Sequence, residues 1–368
     1  MQSRLPGAPG VCALCEGRSP LISRALGVCL DCLRRRPAEA LAITQAAHEA
    51  ARRAFGLPEA PPRSASGRRC SLCARECSIG EGERGYCGLR VARQGRLIHL
   101  AGVPERGMLE WYRDPLPTNC VADWVCAGSR QRGCHNLAVF YESCTLDCLF
   151  CQNWHYRHAE PHTSRLISAE QLAAAANSRT YCVCFFGGDP ASQMPHALAA
   201  AHRLAERGVV VCWETAGTSH PKLLDQALAL SLATGGCIKF DLKAWDETLY
   251  RALTGGSNSQ ALENFQRAAR RAGERPEPPL VVASTLLVPG YVDAEEVGRI
   301  ARFIAACDPD IPYALLAFAP QFRMADLPTT SLRHARQAEE AARQAGLRRV
   351  RVGNQHLLRL SDYPAAGD

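Results

Sequence analysis

The sequence predicts an α/β chain: a partial (β/α)6 barrel preceded by a cysteine-rich extension. Three observations carry this. From about residue 136, short apolar β-rich runs alternate with helical segments. The 19 cysteines gather in short-spaced groups, most of them ahead of the alternating region. The 368 residues are 47% hydrophobic and 21% charged, an ordinary globular balance with enough length for a sizeable core.

Residues 1–36 hold Cys12-Ala-Leu-Cys15 and Cys29-Leu-Asp-Cys32. Two C-x2-C pairs can close a tetrahedron round Zn²⁺, and the metal then supplies folding energy that so short a segment cannot draw from burial. A zinc-ribbon-like module is expected, with a rubredoxin-like iron site as the alternative. Residues 37–67 read as a helix, Ala38 to Phe55, and then a Pro/Ser/Gly-rich linker from Pro58 to Gly67. Residues 68–135 form a cysteine-rich segment. In it Cys70, Cys73, Cys77 and Cys87, with glycines that let the backbone fold back, make a second candidate metal site, zinc or an auxiliary iron–sulfur cluster. Cys120, Cys126 and Cys134 are spaced too loosely to separate ligands from small buried hydrophobes.

Residues 136–356 carry the barrel pattern, and 357–368 read as a tail. Strands are predicted at 137–141, 181–186, 209–213, 237–241, 280–288 and 313–318, giving six β/α units, and a last helix leads to Arg349–Val352. Ser168-Ala-Glu-Gln171 and Asp293-Ala-Glu-Glu296 read as capping boxes, and Pro195 and Pro221 suit first helical turns. Ligands of parallel α/β folds sit at the carboxyl ends of strands, so the residues there are the candidates.

The most informative of these ends is Cys144-Thr-Leu-Asp-Cys148-Leu-Phe-Cys151, directly after the strand Leu137–Tyr141. Three soft thiolates at this spacing suit an iron–sulfur cluster, and the lack of a fourth nearby cysteine leaves one iron open. A closed zinc site borrowing a distant cysteine is the alternative. Gly187-Gly188-Asp189-Pro190 follows the second strand, with glycines that allow close backbone approach to a ligand. Glu214-Thr215-Ala-Gly follows the third. Lys239, Asp241 and Lys243 alternate along the fourth, so a period of two turns all three one way, toward the barrel mouth or into a self-satisfied Lys–Asp pair.

These motifs resemble the radical S-adenosylmethionine (SAM) superfamily, in which SAM chelates the open iron. The C-x2-C-x3-C … G-x-x-G-x-C-G-x-R run at Cys70–Arg90 looks like the AmmeMemoRadiSam group, related to pyruvate formate-lyase activating enzymes. Leu253–Phe265, Leu287–Asp293, Phe322–Thr329 and Val352-Gly-Asn354 extend the likeness, which covers roughly residues 70–356. It implies a [4Fe–4S] cluster on Cys144, Cys148 and Cys151, and reductive cleavage of SAM to a 5′-deoxyadenosyl radical that abstracts hydrogen. It implies Phe150 beside the adenine and the Gly187-Gly188-Asp189 backbone at the SAM amino group, with Asp189 replacing the usual Glu. Glu214, Thr215, Asp241 and Lys243 would flank the SAM carboxylate. Lys239, one alternation earlier, is expected near that carboxylate or near Glu214. A flavodoxin or ferredoxin reductant is implied too. Ser284 and Gln321 depart from the activating-enzyme pattern, so the substrate is left as a protein, peptide or small molecule.

An iron–sulfur carrier or redox sensor, and a zinc-ribbon nucleic-acid binder, are the competing classes. The net charge of +7 is modest and Arg34-Arg-Arg36 is too short for a basic stripe, which argues against nucleic acid. No apolar run nears the roughly 18 residues of a spanning helix. No signal-peptide pattern opens the sequence, so a reducing cytoplasm is expected. His155, Tyr156 and His158 follow the cysteine loop and are expected mainly at the solvated surface.

Overall fold

Ahead of residue 100 the sequence has few consecutive apolar residues, and the chain pairs there only in short pieces. The structure, a computed structural model, describes residues 9–118 and 120–363; residues 1–8 of the zinc-ribbon-like module and 364–368 of the tail lie outside them. β1 (Gly10–Val11) and β2 (Arg18–Ser19) form an antiparallel ribbon, followed by α1 (Leu30–Arg35) and α2 (Pro37–Arg53). Pro37 opens α2, where its missing N–H costs nothing. β3 (Arg68–Arg69) pairs with β4 (Ser78–Ile79), and β5 (Arg90–Arg93) with β6 (Arg96–His99). The predicted linker is not loose: Ser64 N–H donates to the Ser78 carbonyl at 3.0 Å and Ser78 N–H to that of Pro62 at 2.9 Å.

One mostly parallel sheet dominates the rest. β7 (Gly107–Pro115) runs antiparallel to β8 (His135–Tyr141), and the two-residue β9 (Leu166–Ile167) caps β7 at the edge. Then come α3 (Ala169–Ala174), β10 (Thr180–Phe186), α4 (Met194–Glu206), β11 (Val210–Thr215), α5 (Pro221–Thr234), β12 (Ile238–Asp241), α6 (Glu247–Thr254), α7 (Ser259–Ala269), β13 (Val281–Leu287), α8 (Ala294–Cys307), β14 (Tyr313–Ala317), α9 (Leu332–Gln344) and β15 (Val350–Gly353). The strand order is β15-β14-β13-β12-β11-β10-β8-β7-β9, parallel from β8 through β15. The six predicted parallel strands are present, β15 adds a seventh, and β7 joins the sheet from within the segment read as purely cysteine-rich.

The parallel strands are buried almost throughout, as helices on their faces require. Phe185 stacks on Trp213 with ring centroids 4.5 Å apart, both essentially solvent-free, so truncating either to alanine would cost about 3–5 kcal/mol. Both predicted start signals cap their helices. Ser168 and Gln171 make both halves of a capping box, whereas at Asp293 only one half forms: its side chain accepts from Glu296 N–H, and the Glu296 carboxylate accepts instead from the Trp245 and Asp246 N–H groups.

Candidate active site

Because β8, β10, β11 and β12 are parallel neighbours, their carboxyl ends share one rim. The chain leaves β8 at Tyr141 and enters the three-cysteine loop. Cys148 is buried, and Cys144 and Cys151 are half-buried. Asp147 N–H donates to the Thr254 carbonyl (2.8 Å) and Leu149 N–H to that of Leu253 (3.1 Å), so the end of α6 clasps the loop backbone. Burial pushes the thiols of Cys144 and Cys148 up to about 12 and that of Cys151 to about 11, against the pull of Lys243 and Arg157. Thiolates here need a cation or cluster to compensate them.

Asp147, fully buried inside the loop, is a carboxylate that must be paired. His48 Nδ1 of α2 lies 2.9 Å away, Arg157 makes a direct ion pair with it, and Arg52 Nη1 is at 3.8 Å. Burial opposes its ionisation, but the His48 hydrogen bond and the charges of Arg157 and Arg52 hold it below the usual carboxylate range. Arg157 is 2% exposed, yet its Nε and Nη2 lack partners. Tyr156 beside it is buried, not solvated as expected, whereas His155 and His158 are exposed.

Gly187 and Gly188 close β10 with φ of +56° and +58°. A Cβ on Gly187 would fall 2.0 Å from the Phe140 ring, and one on Gly188 would fall 2.0 Å from the Tyr141 carbonyl oxygen. The close approach that demands glycine is therefore to the chain entering the cysteine loop. Asp189 N–H continues the contact, donating to the Ser143 carbonyl at 3.1 Å. The Asp189 carboxylate is buried and accepts from Ala191 N–H (2.9 Å), the Thr215 hydroxyl (3.0 Å) and Ala216 N–H (3.3 Å), which ties the ends of β10 and β11 together. Asn264 of α7 supports the following turn, with Nδ2 donating to the carbonyls of Gly217 (2.7 Å) and Ser219 (2.8 Å).

β12 ends at Asp241, so Lys239 and Asp241 lie on the strand and Lys243 just past it, and the three charges expected to face one way separate into two sets. Lys243 pairs directly with Asp241 and stands 5.8 Å from the centre of the Phe150 ring, next to the cysteine loop. Asp241 Oδ1 is buried without a partner. Deeper in the barrel Lys239, 1% exposed, sits 3.4 Å from Glu214, one of its two expected neighbours. Its Nζ also lies 3.0 Å from Cys184 Sγ and 3.1 Å from Cys120 Sγ. Cys120, whose loose spacing left ligand and buried hydrophobe equally open, is thus a polar neighbour of Lys239. The legible signal is that Cys182 and Cys184 on β10, Cys212 and Glu214 on β11, and Cys237 just before β12 with Lys239 on it, fall two apart at three adjacent strands.

The two amino-terminal quartets differ. Among the described residues, Cys12, Cys15, Cys29 and Cys32 form the one group of three or more such donors whose ligand atoms all lie within 4.8 Å of one another. Cys15 and Cys29 sulfurs are 3.8 Å apart. A tetrahedron with Zn–S bonds of about 2.3 Å has an edge of about 3.8 Å. Burial resists ionisation of Cys12, but N–H groups of Cys29, Leu14 and Cys15 outweigh it and bring that thiol to about 6. Cys70, Cys73, Cys77 and Cys87 are spread more widely round one cavity.

Residues 138–304, from β8 into α8, match the model of the Radical SAM superfamily. The chain carries a radical SAM domain. The domain implies a [4Fe–4S] cluster and SAM, whose cleavage at iron–sulfur is general to the family, and its members are enzymes. An uncharacterized protein of Methanocaldococcus jannaschii is 24% identical over 78% of this chain and 81% of its own length. The isethionate sulfite-lyase activating enzyme of Oleidesulfovibrio alaskensis is 31% identical, over 36% of this chain and 40% of its own length. Among solved structures, a domain of a pyruvate-formate lyase-activating enzyme from Bacteroides vulgatus is similar at a TM-score of 0.39 and 20% identity, covering 47% of this chain and 99% of that one. No helix among the described residues is long and apolar enough to cross a membrane.

Proposed function

We propose that this radical SAM chain is an activating-enzyme-like catalyst that cleaves SAM reductively and uses the product to take hydrogen from a substrate at the barrel mouth. The observation that carries the reading is the shared rim: four neighbouring parallel strands bring the three thiols, the Gly187-Gly188-Asp189 turn, Glu214-Thr215 and the Asp241–Lys243 pair to one edge of the sheet. The donor set fits the cofactors. Unpartnered N–H groups on buried Arg157 suit an anionic cluster, and the unpartnered Asp241 Oδ1 suits a cationic donor such as an amino group.

Cys144, Cys148 and Cys151 would hold the cluster. When bound, it supplies one electron to the sulfonium of SAM, giving methionine and a 5′-deoxyadenosyl radical. Lys243 offsets carboxylate charge near the loop, and Phe150 offers its ring to an adenine. Glu214, Thr215 and the 187–189 backbone would complete the SAM site from the ends of β11 and β10. Lys239 keeps Glu214 oriented from below. The N-terminal quartet would hold Zn²⁺, and the protein would work in a reducing cytoplasm with a flavodoxin or ferredoxin donor. The similarity to an isethionate sulfite-lyase activating enzyme supports a macromolecular substrate over a small one, with the departures at Ser284 and Gln321 leaving its identity to experiment.

The test is anaerobic reconstitution with iron and sulfide, reduction, and assay of 5′-deoxyadenosine formed from SAM. Wild type should form it and Cys148→Ala should not. A fully iron-loaded wild type that forms none would overturn the proposal.

A further inference from the structure

We propose that Cys70, Cys73, Cys77 and Cys87 hold a second iron–sulfur cluster rather than zinc, and that it passes electrons to the three-cysteine centre. The β3–β4 ribbon and the turn after it bring the four together: Cys70 N–H donates to the Cys77 carbonyl at 2.8 Å, and Tyr86 N–H to Cys77 Sγ at 3.5 Å. All four cysteines line a single cavity. Yet no three of their sulfurs come within 4.8 Å of one another, unlike the N-terminal quartet, whose spacing matches a single tetrahedral ion. Thiolates set round a wider void suit a cubane of several irons.

The two arginines that line the cavity also keep buried N–H groups without partners. Arg90, 1% exposed, lines it with Nε and Nη2 unpartnered, and Arg75 adds an unpartnered buried Nη2. Arg90 Nη1 is 3.7 Å from Cys87 Sγ. A cluster held by four thiolates is anionic and would take up these donors.

Its position gives it a role. Cys87 of the quartet and Cys144 of the triad share the wall of a second cavity. Arg90 Nη1 donates to the Ser192 carbonyl (2.7 Å), and the Ser192 hydroxyl is 2.6 Å from that of Ser143, the residue before Cys144. Arg75 Nε, from between Cys73 and Cys77, donates to the Thr145 carbonyl at 2.6 Å. A centre with four cysteines has no open iron for SAM, so its chemistry is electron carriage. It accepts one electron from a low-potential one-electron donor protein and gives one to the triad centre, with no bond made or broken. This second half rests on the proposed reading of the triad; the cluster itself does not.

The full chain, reconstituted anaerobically, tests both halves. In Cys144→Ala/Cys148→Ala/Cys151→Ala, about four irons and four sulfides per chain should remain beside about one zinc. Reduction of that variant should give a paramagnetic signal that SAM does not change. A folded triple variant with no iron, or with two zinc ions, overturns the second cluster and leaves the triad untouched. The converse variant Cys70→Ala/Cys73→Ala, with its triad intact, should keep a SAM-responsive signal after dithionite reduction, and absence of that signal would overturn the reading of the triad alone. With reduced flavodoxin as donor, that variant should reduce its triad centre at least tenfold more slowly than wild type. Equal rates overturn the relay.

Discussion

Gly188 and Lys239 show two ways in which single residues fix this site. At Gly188 any side chain collides with the Tyr141 carbonyl and must also hold a φ of +58°. Gly188→Ala should therefore cost at least about 3 kcal/mol, seen as a lower unfolding midpoint, and should weaken SAM binding in an equilibrium titration. A variant as stable as wild type would mean that the turn is not pressed against β8. Lys239 is buried among Glu214, Cys120 and Cys184. Replacing it with methionine leaves Glu214 without its cation, so SAM affinity should fall about tenfold; unchanged affinity would remove Lys239 from the site. That Lys239 faces inward was legible from its alternation with Asp241 and Lys243. Its thiol neighbours were not, because Cys120 and Cys184 lie 119 and 55 residues away and no local pattern encodes which chain ends meet.

Elements announced themselves in sequence wherever their signals are local. The capping box at Ser168–Gln171 and the cap at Asp293 were readable because both partners lie within one turn. β7 was not, because only Gly107–Leu109 are buried and its remaining six residues follow no two-residue rhythm, as befits a strand near the sheet edge. The seam of α4 with β8 and β9 makes a pH prediction. His196, without solvent exposure, takes the Tyr141 hydroxyl on Nδ1 (2.8 Å) and donates from Nε2 to the Ile167 carbonyl (2.9 Å), so it is neutral. Burial depresses its pKa to about 4 from an ordinary 6.5. Between these values the unfolded chain binds the extra proton, so stability rises with pH through the window and is lost on acidification from about 6.5 to 4, by up to about 3 kcal/mol. His196→Gln should flatten that part of the curve in denaturant titrations at stepped pH. A wild-type curve parallel to the variant's would refute it.

Across the whole molecule, the amino-terminal module is fastened to the barrel rather than tethered beside it. Arg34 of α1 makes two 3.0 Å bonds to Asp293 at the start of α8, Ser23 N–H donates to the Tyr291 hydroxyl at 2.9 Å, and Arg24 N–H reaches Asp326 at 2.7 Å. Stripping the metal from Cys12, Cys15, Cys29 and Cys32 should lower the unfolding midpoint of the entire protein by several degrees, since the ion's binding energy is also folding energy. A calorimetric trace in which only a small early transition moves would show the two parts to be energetically separate. The alternating barrel was plain from sequence because it repeats one pattern, whereas this docking depends on pairs more than 250 residues apart.

The same long reach governs the order in which the protein is made. His48 and Asp147 are 99 residues apart, so at ribosomal speeds α2 emerges roughly 5–20 s before the cysteine loop that it braces. The backbone clasp from Leu253 and Thr254 comes later still. In a nascent chain the three thiols of the loop thus emerge after the α2 side chain that pairs with Asp147 and before the backbone that closes over them.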